Sequence, residues 1–293
     1  MFRAACERAR NFTWPVVISR RTIGGECTSG IGTIVILNDE GWFITAAHIM
    51  QLLVDMTAQE ANTRSMQARI AAVENDLTLN HKERRRKLAQ IGYLKSDSVD
   101  KWSTWWGQDG ITLSADPGRM LLPVDIAVGR LASFGTAQIK EFPKFKKSLT
   151  DFEQGASLCR LGFPFWDMKP VWNAANNAFN LTQFMPLPLF ANEGVLARMS
   201  MTVLLDETTG KHVTTAYPLK NIETSNAGIL GQSGGPIFDV NGTLWGIQTS
   251  TVSYELDLNT EGKQYYNVGV GCHAETIIGF LTEQKIKYEV DES

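Results

Sequence analysis

The stretch Gly231-Gln232-Ser233-Gly234-Gly235-Pro236 restricts this chain more tightly than any other. Glycines on both sides of one serine permit a sharp turn with positive φ, and no Cβ blocks an approach to the hydroxyl. Such a turn can aim the amides of Gly231 and Ser233 into one small space, as stabilising an oxyanion requires. A serine hydroxyl also needs a base to take its proton. A candidate base ends the segment Ile44-Thr45-Ala46-Ala47-His48, and a candidate carboxylate lies within Val124-Asp125-Ile126-Ala127-Val128. Each of the three groups sits in a hydrophobic, strand-like segment or at its end.

The order His48, Asp125, Ser233 is that of chymotrypsin-like serine peptidases, not of subtilisins or α/β-hydrolases. Thr45-Ala46-Ala47-His48 resembles that family's histidine motif and Asp125-Ile126-Ala127-Val128 its aspartate motif. Leu161-Gly162-Phe163-Pro164, Glu193-Gly194-Val195 and Leu244-Trp245-Gly246-Ile247 are similar to strands of its second barrel. Within the family the resemblance is to the bacterial HtrA-type branch, though that branch's PDZ domain is not expected in the short stretch after the closing helix. The resemblance implies a mainly β fold: two six-stranded antiparallel β-barrels, here with an inserted α-helical hairpin and a C-terminal helix. It implies His48 as general base and then acid, Asp125 as the group fixing its tautomer, and Ser233 as nucleophile, with the Gly231 and Ser233 amides as oxyanion hole.

The resemblance also implies where the residue before the scissile bond is held. The walls come from Asn226 to Leu230 and from Thr249 to Thr251, so Ala227, Leu230, Thr249, Ser250 and Thr251 are its expected lining. The floor position, six residues before Ser233, is Ala227, which offers no carboxylate for a basic side chain. Cutting after small or medium apolar residues is expected. Beside the nucleophile, trypsins pair an Asp with a freed amino terminus, whereas Gln232 cannot form that ion pair. Arg21-Thr22-Ile23-Gly24-Gly25 therefore reads as an ordinary turn, and no activation by cleavage is expected there. Among rival groups, Asp116 precedes Pro117-Gly118, a turn signature, while Asp125 has Val124 and Ile126 to shield it from water. Of the other histidines, His81 opens a helix, His212 lies in a turn, and His273 reads as a surface or helix-starting residue.

Composition narrows the partners. A chain of 293 residues that is 43% hydrophobic can bury a substantial core. The net charge of −3 and pI near 5.9 give no electrostatic reason to expect nucleic acid or an anionic membrane. No stretch approaches the roughly 20 apolar residues of a membrane span. Charges throughout the first ten residues argue against a secretory signal. Cys6, Cys27, Cys159 and Cys272 have no paired spacing, so free thiols in a reducing compartment are expected, and with them a cytoplasmic enzyme.

Along the chain, residues 1–13 read as a tail or short amphipathic helix. Residues 14–150 read as the first barrel, with its insertion at about 50–100; 151–272 as the second; and 273–293 as closing helix and tail. Strands are expected at 14–19, 32–37, 42–45, 195–205, 214–219, 243–249 and 265–271. In the insertion, Met56, Met66, Ile70, Val73 and Leu77 recur at helical spacing, and Asn80 with Glu83 makes a capping-box pattern for a second helix. Trp102, Trp105 and Trp106 are read as packing the insertion onto its host. The function expected is a serine endopeptidase acting on polypeptides, without metal or cofactor. A regulatory protein or a second copy of the chain would engage the helical insertion. Two alternatives stay open: a catalytically silent binding module on the same fold, and an esterase using the same triad.

Overall fold

A computed structural model describes every residue except 108–118, 133, 136–138, 140, 148–152, 165–167, 182–185, 207, 257–263 and 293. Asp116, the rival acid, lies outside the described residues. The amino-terminal half forms one antiparallel sheet from β1 (Thr13–Thr22), β2 (Cys27–Ile36), β3 (Trp42–Ala46), β4 (Val99–Trp106), β5 (Arg119–Leu121) and β6 (Ile126–Arg130). The strand order is β4-β1-β2-β3-β6-β5. The remaining strands are β7 (Lys144–Lys146), β8 (Ser157–Gly162), β9 (Val171–Asn173), β10 (Ala178–Asn180), β11 (Phe190–Met201), β12 (Lys220–Thr224), β13 (Pro236–Phe238), β14 (Leu244–Leu256), β15 (Gln264–His273) and β16 (Glu289–Asp291). Of these, β13-β8-β11-β12-β15-β14 pair antiparallel in that order, and β13 also pairs with β14, closing a six-stranded barrel.

The first barrel, expected over residues 14–150, is not seen to close among the described residues. In the amino-terminal sheet β5 spans three residues and pairs only with β6, and among the described residues nothing joins it to β4. Smaller corrections follow. Residues 214–219 lie outside any strand, and the ladder is taken up by β12 just after them. The connection near Pro143 contains β7, which pairs in parallel with β14 and β16.

Helix α1 (Arg3–Ala9) is no loose tail: Phe2, Ala5 and Ala9 are buried, and Phe2 meets Phe238 edge-on with ring centroids 6.3 Å apart. The insertion is helical, as its periodicity predicts, but it begins earlier, because α2 (Ala47–Glu74) continues directly from β3. Its first half buries Ile49, Met50, Leu53 and Met56, while Met66, Ile70 and Val73 are only half-buried and Leu77 is exposed. Helix α3 (His81–Ile91) opens with the expected capping box, Asn80 Oδ1 accepting from the Glu83 amide and Glu83 Oε2 from the Asn80 amide, both at 3.0 Å. Trp106 is fully buried and packs on Phe43 at 5.1 Å. Helix α4 (Ala274–Glu283) buries Ile277 and Leu281. One core crosses both halves, with Phe43, Ile44 and Val128 in the same cluster as Phe145, Leu161, Phe238 and Ile247.

Candidate functional site

The β3–β6 register sets Ala46 opposite Ile126, so the residues leaving these strands, His48 and Asp125, meet at one end of the sheet. His48 is the second residue of α2. Asp125 ends the 3₁₀ turn Leu122–Val124 with left-handed backbone, φ 53° and ψ 46°. This conformation is one that a short polar residue adopts more readily than most. The turn brings the carboxylate back over the start of α2. Asp125 Oδ1 accepts the His48 backbone amide at 2.9 Å, Oδ2 lies 2.8 Å from His48 Nδ1, and the Asp125 carbonyl accepts the Ala47 amide at 3.0 Å. A neutral imidazole bonded to a carboxylate through Nδ1 carries its proton there, which leaves the Nε2 lone pair free as a base. The expected shielding is incomplete. Val124 and Ile126 are buried, yet the Asp125 side chain keeps 32% of its surface exposed and His48 51%.

The glycine-rich loop is pinned on several sides. Gly234, at φ +83°, lies so close to β2 and β3 that a Cβ would overlap the Thr33 carbonyl and Thr45 hydroxyl oxygens. Gly231, at φ +97°, is closed in by the backbone of Phe163 and Pro164. The Thr33 amide donates to the Ser233 carbonyl at 2.9 Å, and its hydroxyl to the Gly231 carbonyl at 2.7 Å. These bonds tie the amino-terminal sheet to the barrel at the serine. Gln232, where an ion pair was ruled out, is fully buried and accepts the Ile229 amide on Oε1 at 3.0 Å, a local clasp across the loop. Among the described residues the amides of Gly231 and Ser233 donate to nothing.

Ser233 and His48 line the same cleft of about 630 Å³ with Ile18, Ile31, Ile49, Leu52, Phe163, Ile229 and Leu230. No hydrogen bond joins them among the described residues. The Ser233 hydroxyl instead donates to the Thr249 carbonyl at 3.4 Å.

The residues expected to hold the substrate separate into two places. Leu230 is 90% exposed at the rim of the cleft. The other wall segments face each other: Thr251 donates to the Gly228 carbonyl at 2.8 Å, buried Thr249 to the Val270 carbonyl at 3.1 Å, and Asn192 to the Ala227 carbonyl at 3.0 Å. The Ser250 carbonyl accepts Gln248 Nε2 at 2.6 Å. Two polar side chains there escaped the sequence reading, Gln248 at 2% exposure and Arg160 at 1%. The only signal was an arginine and a glutamine inside the apolar runs of β8 and β14.

The remaining histidines lie elsewhere. His81 and His212 are exposed. His273 starts α4 as expected, but it is fully buried rather than at the surface, and its Nδ1 accepts the Glu275 amide at 3.1 Å. Among the described residues no three His, Cys, Asp or Glu side chains gather as a metal site needs, and no helix is long and apolar enough to cross a membrane. All four cysteines are unpaired, with the sulfurs of Cys6 and Cys159 3.9 Å apart. In comparison with known proteins, no family model and no curated protein matches the chain.

Proposed function

We propose that the chain is a serine endopeptidase that works through an acyl-enzyme intermediate. The observation that carries this reading is the Asp125–His48 pair opening on the same cleft as Ser233, whose loop leaves two amides undonated. In this reading the Ser233 hydroxyl rotates away from the Thr249 carbonyl toward His48 Nε2 when substrate enters. Catalytic hydrogen bonds are often long or misaligned before substrate is bound. Ser233 Oγ then attacks the scissile carbonyl carbon while its proton passes to Nε2. The carbonyl oxygen, now an oxyanion, is held by the Gly231 and Ser233 amides. Collapse of this adduct breaks the C–N bond, and His48 returns the proton to the leaving amine. Water, deprotonated by the same nitrogen, releases the acyl group and restores the serine.

Asp125 keeps the imidazole in the useful tautomer and stabilises the imidazolium formed along the way. The apolar cleft, lined by Ile31, Ile49, Leu52 and Phe163, suits apolar substrate side chains. Because His48 lies in the first turn of α2, a regulatory protein or second copy bound to the helical hairpin would act directly on the base. Four unpaired cysteines suit a reducing, cytoplasmic setting.

The test is a fluorophosphonate probe. The native protein is expected to be labelled on Ser233 and Ser233→Ala not at all, and an unfolded protein digested by the native enzyme should yield new amino termini by mass spectrometry. Absence of labelling would make the chain a binding module, with the hydroxyl kept at Thr249. Labelling without new termini would point to an esterase.

A further inference from the structure

Arg160 extends from β8 into the barrel and is 1% exposed. Its Nη1 donates to the Asn226 carbonyl at 3.1 Å and to Asn226 Oδ1 at 2.9 Å, whereas Nε and Nη2 have no partner. A guanidinium has five N–H groups, so more than half of this one's donor capacity is idle. Among the described residues no carboxylate pairs with it. Glu223, a buried acid on β12, is committed to Arg198 at 2.8 Å. Burial lowers the guanidinium's pKa to about 10, so it remains a cation at neutral pH. A buried charge without a counter-ion costs several kcal/mol, and an apolar side chain of similar volume would serve a merely structural role better.

The space for this cation is carved out by Gly269, where a Cβ would overlap Nη2 and fall 2.6 Å from Cζ. Gly269 in turn donates to the same Asn226 carbonyl at 2.8 Å. Asn226 adjoins Ala227, the residue expected to floor the substrate pocket. The next residue, Gly228, lies against Gln248 Nε2 and Thr251 Oγ1, where a Cβ would overlap the first and sit 3.1 Å from the second. One end of the wall pair therefore gathers a guanidinium, a primary amide and a hydroxyl, all of them donors.

Resting on the endopeptidase reading, we propose that the enzyme cuts after acidic residues, with Arg160 as the cation that selects the side-chain carboxylate. The carboxylate enters between Gly228 and Thr251 and takes the hydrogen bonds that Gln248 and Thr251 now give to backbone carbonyls. Its charge supplies the counter-ion that Arg160 lacks. This reading replaces the apolar preference expected from Ala227 alone, because a side chain that cannot accept leaves the buried N–H groups of Arg160 unpaired.

The test uses matched peptides differing only at the residue before the scissile bond. For the native enzyme, kcat/KM with Glu should exceed that with Gln, Ala or Leu by at least about tenfold. Arg160→Met should erase the Glu-over-Gln ratio, and Arg160→Lys should keep part of it. Cleavage after Ala or Leu as efficient as after Glu overturns the inference and leaves the endopeptidase standing. So does a Glu preference that survives Arg160→Met. A second measurement needs neither catalysis nor a folded Arg160 variant: calorimetric binding to Ser233→Ala of product peptides ending in Glu or Gln. Tighter binding of Glu supports Arg160 as the carboxylate-selecting cation; if the native protein nonetheless cleaves nothing, the endopeptidase reading and cutting after acidic residues fall, and the carboxylate subsite alone stands. Equal binding overturns it.

Discussion

Ser233 and His48 are held by two differently built halves. The serine loop hangs from a closed barrel and is wedged between β2, β3 and the Phe163 backbone, with glycines wherever a Cβ would collide. The histidine and its carboxylate project from an open sheet, half-exposed, at the first turn of a helix whose far end carries little buried surface. Ser233 is thus positioned by packing, and His48 by two hydrogen bonds to the single side chain of Asp125. Packed cores shift in discrete steps, whereas a hydrogen-bonded pair at a helix start moves with that helix. In the proposed reading, control by a partner acts on the α2 half and selection of substrate on the barrel half.

The largest effect expected on this contrast comes from Asp125→Asn. The asparagine oxygen can still accept the His48 amide, so the backbone should hold. Its NH₂ would face Nδ1 and force the tautomer with the proton on Nε2, which cannot take the serine proton. A fall of about 10⁴-fold in kcat with little change in KM is expected on peptide substrates. A fall of less than tenfold would mean that Asp125 only closes its turn. In the closed half, Gly234→Ala tests whether packing at the seam positions the serine. The change combines φ +83° with overlap on Thr33 and should cost about 4 kcal/mol or more in urea unfolding. Gly25→Ala, at φ +86° with nothing within 4 Å, should cost only about 1 to 2 kcal/mol. Equal losses would show that backbone strain, not the seam, makes glycine necessary.

Features written in local spacing were legible in the sequence. The Asn80–Glu83 box, the apolar side of α4 and the alignment of His48 with Asp125 depend on residues a few positions apart or on strands entering one sheet. What failed depends on distant pairings. Closure of the 151–272 barrel was expected from the resemblance and is seen, but it turns on three-residue β13 reaching both β8 and β14, which no periodicity reveals. Among the described residues the other sheet ends at equally short β5, with no pairing to β4. The Ser233 hydroxyl's bond to Thr249 is a rotamer choice, invisible to pattern. Arg160 and Gln248 broke the apolar runs of their strands, but a sequence cannot say whether such a side chain faces solvent or the barrel interior.

A smaller effect separates the halves by pH, because His273 belongs to the closed barrel and is sealed where His48 is open. Burial lowers its pKa to about 4, Nδ1 is occupied by the Glu275 amide, and Nε2 has no partner, so the fold holds it neutral. In the unfolded chain the same ring takes up a proton near pH 6.5. The unfolded state then binds more protons than the native one, so stability falls as pH drops from about 6.5 to about 4, by about 3 kcal/mol in all, and this contribution flattens below that. Asp206, held by Thr208 and Thr209 at about 2, titrates lower and does not blur this window. His273→Asn keeps a good cap acceptor for α4 and removes the titration. Urea midpoints of the native protein should decline across that interval, and those of the variant should stay nearly level. Parallel decline in both would place the acid sensitivity in groups other than His273.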